Sequence, residues 1–373
     1  MKMKTPLQLT TLLSSLLLIT ACGGGSTTDP DAKVDNHTYT SLDATNPANA
    51  SRVDLLSGHT VTDDSWHIAY QKYVGFSVNG GHSGPGTVEG CIAHQYTALF
   101  DAQSAPVAAE FRKLTKDTTA ADFDAVTKTS CSEMIKDTLK TEIKTEDWLE
   151  ADYSQGAPVY SAKTGDTNGW IIRSSSKDNA TDSYNYARVK VKTVNVSFAG
   201  APSRKVTLSV ENWNAGTSTF SAAVDSPELD YSNSRVFYDM ESNTVVTESD
   251  NWDLSITVNG RDYPIQVNGG ASGNGSGGAG VLLSANADAV TDPTDTQQVY
   301  KYFGDSVEGL LSKPGNYGPF QYSVEGNHKM WPTFTTYLFT DGTRFYKAQV
   351  ISNYGEDGTA ASGNLYLRYE ELN

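Results

Sequence analysis

Positive charge is scarce in this sequence. Its 373 residues carry 28 Lys and Arg against 44 Asp and Glu, a formal net charge of −16. A surface of that sign lacks the basic footprint with which proteins neutralise phosphates, which excludes DNA and RNA as partners. Long apolar runs are also nearly absent. Leu12 to Ile19 is one, but it is too short to cross a bilayer as a helix, and no later stretch is long and apolar enough. Cysteine is limited to Cys22, Cys91 and Cys131, too few for a cysteine-dense scaffold. Catalytic signatures are missing too. The glycine-rich runs lack a following Lys-Ser/Thr for phosphate. Ser83 and Ser272 stand in Gly-x-Ser-Gly, not in the Gly-x-Ser-x-Gly of a hydrolase elbow. The many carboxylates form no paired acid–base motif. The chain is therefore expected not to be an enzyme.

What is present begins with an address. Lys2 and Lys4 precede the apolar run, which ends in Ile19-Thr20-Ala21-Cys22. This has the form of a bacterial lipoprotein signal, residues 1–21, with lipid carried on Cys22. Gly23, not Asp, follows the cysteine, so the expected address is the outer membrane, on its cell-surface or its periplasmic face. Residues 22–36 are rich in Gly, Ser, Thr, Asp and Pro and are expected to form a flexible tether. Lipidation leaves Cys91 and Cys131, an even pair in an oxidising compartment, and a disulfide is the natural expectation. The other readings are two buried thiols or a metal pair, the latter short of further ligands.

The body is written twice. "YVGFSVNGGHSGPG" (73–86) returns as "YPIQVNGGASGNG" (263–275). Upstream of each stands a tryptophan before an alternating run, Trp66-His67-Ile68-Ala69-Tyr70 and Trp252-Asp253-Leu254-Ser255-Ile256. Alternation of this kind marks half-buried strands. Towards the ends, Arg204–Phe220 parallels Phe345–Leu367, and Asp341-Gly342 is a hairpin signal. Tyr (20) and Gly (32) are frequent, which favours strands and turns. The expected fold is mainly β, with two tandem antiparallel units at 37–222 and 223–373. The first has a helical insertion at about 102–150, where Phe111, Leu114, Phe123, Val126, Ile135 and Leu139 recur at helical intervals. The repeated glycines read as positions of positive φ or close strand approach.

"SDNWDLSITVNGRDYPIQVNGGASGNGSGGAGVLL" (249–283) and the closing "TDGTRFYKAQVISNYGEDGTAASGNLYLRY" (340–369) resemble the HmuY-like haem-binding lipoproteins. The second unit matches along most of its length. The first matches in two blocks, with His67 where the signature has Asp. The resemblance implies a surface lipoprotein that binds haem and relays it to a TonB-dependent outer-membrane receptor. The family ligates haem iron axially through His, or through Met in some members. It puts one ligand just before the final strand pair, where this chain reads "EGNHKMWPTFTTYLF" (325–339). That makes His328 and Met330 the candidate haem ligands. The second family ligand has no His or Met counterpart between Ser284 and Asn327, which leaves the phenols of Tyr300, Tyr302, Tyr317 and Tyr322 as donors there. In the first unit His82 and His94 form an alternative haem or metal site if they converge. The competing expectation is a binding or adhesion module of the same fold that takes no haem.

Overall fold

The computed structural model describes residues 35–154 and 156–372. Strands account for 45 % of the chain and helices for 7 %, so the protein is mainly β, built from antiparallel sheets. The first strands are β1 (Thr38–Asp43), β2 (Ser51–Asp54), β3 (His59–Val61), β4 (Ile68–Gln71), β5 (Gly75–Val78) and β6 (Glu89–His94). Short helices α1 (Ala108–Phe111) and α2 (Ala120–Asp124) follow, then β7 (Thr138–Lys140), α3 (Thr145–Trp148), β8 (Leu149–Asp152) and β9 (Val159–Ala162). Three longer strands come next, β10 (Trp170–Asp178), β11 (Ser183–Ser197) and β12 (Ser203–Asn214), with the short β13 (Thr219–Phe220), β14 (Val224–Asp225) and β15 (Leu229–Asp230). The second copy of the motif supplies β16 (Val236–Asp239), β17 (Thr244–Val246), β18 (Leu254–Ile256), β19 (Ile265–Val267), β20 (Gly278–Leu282) and β21 (Val299–Phe303). The chain closes with β22 (Ser306–Glu308), β23 (Phe320–Tyr322), β24 (Met330–Pro332), β25 (Thr336–Thr340), β26 (Phe345–Ser352) and β27 (Asn364–Leu372).

The sheets show how the copies are used. β3-β2-β4-β5 and β17-β16-β18-β19 are two four-stranded sheets of the same order. The strand after each glycine motif leaves its small sheet and joins a large one. β6 adds to β25 in the order β1-β27-β26-β25-β6, and β20 adds to β10 beside β11 and β12. Each large sheet is thus completed by strands far away in sequence. One core gathers Leu42, Val53, Ile68 and Val78 with Tyr337, Phe339, Leu365 and Leu367. The other gathers Ile172, Val189 and Leu208 with Leu254, Ile265 and Val267. A boundary at 222/223 separates neither core. The second is nested inside the first, and Thr38–Asn373 forms one compact unit.

This corrects the strand correspondence as well. β10 and β25 are the equivalent neighbours of β20 and β6, so β26 matches β11, not the strand beginning at Arg204. Arg204–Phe220 and Phe345–Leu367 are offset by one strand in the fold. Consecutive strands with the same period of two carry no mark of which is which.

The helical insertion is real but shorter than expected. Phe111 and Phe123 sit on α1 and α2 and are buried. Ile135 instead bridges Gly90 in an extended segment, and Leu139 lies in β7. The segment covers the outer face of the β25–β27 sheet. There the Lys347 ammonium and the Arg368 guanidinium each lie 4.6 Å from the Phe123 ring centroid. Arg368 also donates to the Lys116 carbonyl (2.9 Å) and the Thr119 hydroxyl (3.0 Å). This explains why six of the eight residues of β26 are buried: one face meets the core, the other the insertion.

Cys91 and Cys131 form a disulfide that ties the far end of the insertion back to β6. Closing a loop of 40 residues restricts the unfolded chain by about 4 kcal/mol in the entropic model. Cys91→Ser/Cys131→Ser should therefore lose about that much stability in urea titrations, and a loss below 1 kcal/mol would count against it. The nesting makes a second prediction. Residues 37–222 expressed alone leave β6 without β25 and should show no cooperative unfolding until mixed with 223–373. Independent two-state unfolding of either fragment would contradict the nested cores.

Candidate functional site

The glycine motifs are scaffolding, built alike twice. Asn79 Nδ2 donates to the Trp66 carbonyl at 2.9 Å, and Asn268 Nδ2 to the Trp252 carbonyl at 2.7 Å. Their Oδ1 atoms accept from Gly86 N and Gly275 N, both at 3.0 Å. A Cβ at Gly84 or Gly273 would stand 2.3 or 2.1 Å from those same Oδ1 atoms, so these two positions exclude any side chain. Trp66 and Trp252 are buried just before their strands, not within them.

Two residues not singled out in the sequence complete the motif. Asp137 Oδ2 accepts from Val78 N at 2.9 Å, and Asp305 Oδ2 from Val267 N at 3.1 Å. Their main-chain carbonyls accept from His82 N (2.8 Å) and Ala271 N (2.7 Å). Burial pushes both carboxyls above the usual carboxylate range. The signal was available: "DTL" and "DSV" open the equivalent strands β7 and β22. These strands pair with each other, Leu139 opposite Val307. Near the same place His82 Nε2 donates to the Ala271 carbonyl at 2.9 Å. His82 and Ala271 are equivalent positions, so the two halves meet across an approximate twofold relation.

The candidate ligands fall in different places. His328 is exposed in the turn between β23 and β24, with φ of 55°. Its Nδ1 lies 2.9 Å from the Tyr322 hydroxyl. Tyr317 stands edge-on to Tyr322, with centroids 6.0 Å apart, and is itself exposed. Met330 does not join this cluster. Its side chain packs against the first core, and its amide donates to the Tyr354 hydroxyl. Tyr302 is engaged elsewhere, donating to the Pro293 carbonyl, whereas Tyr300 is exposed on β21. His94 ends β6, opposite Thr336 and edge-on to Tyr96. No hydrogen bond or ring contact joins it to His82. Among the described residues no group of three or more His, Cys, Asp and Glu is placed to hold a metal. Cys22, the expected lipid site, lies outside the described residues. None of the described helices is long and apolar enough to cross a membrane.

The residue after each tryptophan changes its chemistry between the copies, His67 in one and Asp253 in the other. Asp253 is buried and accepts from Ser175 N (2.7 Å) and Met240 N (3.1 Å). In the first half His67 Nδ1 takes the corresponding amide, from Leu55 at 3.2 Å. A cleft of about 670 Å³ also opens beside the second glycine loop. Another, of about 440 Å³, lies against the disulfide over Ile92, Ile135 and Leu310. The chain matches no protein-family model, no curated protein and no solved structure.

Asp253 gives a pH test of the scaffold. Burial raises its carboxyl from 3.8 to about 6. Between these values the folded chain holds a proton that the unfolded chain has released. The stability contributed by this proton is therefore full below about pH 4 and is lost as pH rises through 6. Two pH units correspond to roughly 3 kcal/mol. Urea midpoints between pH 4 and 7 should fall more steeply for the parent than for Asp253→Asn, since Asp137 and Asp305, also raised by burial, titrate in both. Parallel curves would exclude it.

Proposed function

We propose that the protein is a non-enzymatic haem-binding lipoprotein of the outer membrane, anchored through Cys22, that captures haem for a TonB-dependent receptor. One observation carries the reading. His328 is held at an exposed turn by Tyr322 through Nδ1, which leaves Nε2 as a nitrogen donor next to the Tyr322 ring, tilted 43° to the imidazole with centroids 5.9 Å apart. A second partner on the other ring nitrogen is the usual way a metal-ligating imidazole is oriented. Haem asks for such a donor over a flat, partly apolar surface. The residues fit haem on one face: His328 would hold the iron, and one of the two exposed tyrosine rings, which stand 76° to each other, would pack against the porphyrin. Haem, when bound, supplies the iron that is carried, and the chain supplies the donor, its orientation and the packing surface. The hairpin β8–β9 occupies the corresponding place beside the second core and carries no histidine, so one site is assigned.

The competing reading is a binding module of the same fold without haem, and one titration separates them. Hemin added to the unlipidated protein should give a saturating, shifted Soret band. His328→Ala should weaken binding at least tenfold, or about 1.4 kcal/mol, and Tyr322→Phe should shift the band with a smaller loss. Met330→Ala should cost roughly 2 kcal/mol of stability through lost packing and leave the Soret position alone. Saturable binding that survives His328→Ala would move the site elsewhere, and absence of a shifted band would remove haem from the account.

A further inference from the structure

The two halves differ beside their glycine loops. Thr340 and Arg173 hold equivalent register positions, opposite Glu89 and Gly278. After Thr340 the first half turns at once through Asp341-Gly342 into β26. After Arg173 the second half runs on through a bulge to Asp178 and returns from Ser183 along β11. The tip of this extension contributes to neither core. What it does is wall the 670 Å³ cleft against the turn before Trp252 and the loop Gly273–Ser276.

The cleft is lined by hydroxyls and carboxamides. Asn251 accepts from Ser175 Oγ at 2.8 Å and donates to Ser176 Oγ at 2.9 Å, tying the extension to the opposite wall. Charges at the rim already have partners. Lys177 pairs with Asp182 at 3.0 Å, Glu248 faces Arg235 at 3.8 Å, and Asp250 accepts from the Thr247 hydroxyl at 2.7 Å. The Tyr184 hydroxyl, the Asn274 carboxamide and the Ser276 hydroxyl are left to serve a ligand. Such groups donate and accept at once, which matches the hydroxyls of a sugar. Hydroxyls and carboxamides outnumber the three charged side chains of the lining, and its one tryptophan, Trp252, is buried, so the cleft matches a neutral polar ligand better than an ion or an apolar ring. The volume falls in the range of small-molecule clefts and suits a short oligosaccharide. We propose that this cleft, apart from the His328 hairpin, binds a neutral oligosaccharide.

The test is retention of the full, unlipidated chain on an array of neutral and acidic oligosaccharides. Neutral glycans should be retained. Tyr184→Ala and Asn274→Ala should each weaken the best of them at least tenfold by titration in solution. A third variant, in which an Asp-Gly turn replaces 176–182, should abolish retention, while hemin binding stays at the parent level in all three. Should the shortened hairpin unfold, as judged by its thermal midpoint, the two point variants decide. No neutral glycan retained, only acidic glycans retained, or affinity unchanged in both point variants would each overturn the proposal.

Discussion

A buried carboxylate closes each half of this protein, and it comes from outside the hairpin it closes. The last amide of β5, at Val78, has Asp137 Oδ2 for an acceptor, and the last amide of β19, at Val267, has Asp305 Oδ2. A buried amide left without a partner costs about 1–3 kcal/mol, so neither small sheet ends well on its own. Each Asp is buried at a cost that its amide donors offset. The strands that continue from the two Asp residues, β7 and β22, then pair with each other. Fixing one clamp positions the other, and the strands released by the two glycine loops are sent to the large sheets on either side. The nesting of one core inside the other rests on this exchange.

The outer faces of the large sheets are covered by the segments that link each exchanged strand to its Asp. After β6 this cover is the helical insertion. After β20 it is the segment leading to β21, where Ala287, Val290 and Val299 bury Ile171. A sheet-borne cation organises both. Phe123 lies against Lys347 and Arg368 on one side. On the other, Arg188 stands 4.2 Å from the Phe220 centroid and donates to the carbonyls of Ala287 and Val290. A desolvated cation over an aromatic face is worth about 2 kcal/mol, but only while its donors are also satisfied. The carbonyls of the covering segments satisfy them. The insertion is therefore an enlarged version of a cover that both halves need.

Much of this was legible. The period of two, the Asn-Gly-Gly-x-Ser-Gly loops and the even pair of cysteines gave the strand content, the doubled motif and the Cys91–Cys131 link. Glycine at positions 84 and 273 is dictated by the asparagine oxygen beside it, which is a local effect and so repeats locally. What could not be read was which distant strand each exchanged strand would meet. β10, β11, β12 and β25, β26, β27 share one alternation, and pairing among them is set by the clamps, not by pattern. Ile135 and Leu139 misled for a related reason: four residues apart fits a helix, but their backbones are taken by Gly90 and by β22. At the candidate site, His328 lies in the turn between β23 and β24, on the segment that leads to β25. The sequence could not show that Met330, two residues on, points into the core, because alternation along a short strand and exposure of a turn look alike in letters.

The duplicated scaffold also indicates where to look for function. Positions that serve the scaffold stay equivalent even when the residue changes: His67 Nδ1 and Asp253 Oδ2 accept the same turn amide with different chemistry. Positions that serve nothing in the scaffold are free to differ, and two differences lie outside both the cores and their covers. One is the turn of the β23–β24 hairpin, where an exposed imidazole at positive φ is held by a phenol that the core does not need. The other is the extension between β10 and β11, whose tip packs on neither core yet ties its hydroxyls to Asn251. Strain and ordered polar groups persist where the surrounding structure holds them in place. In this chain the repeat supplies the holding, and the two departures from it present side chains that the fold itself does not use.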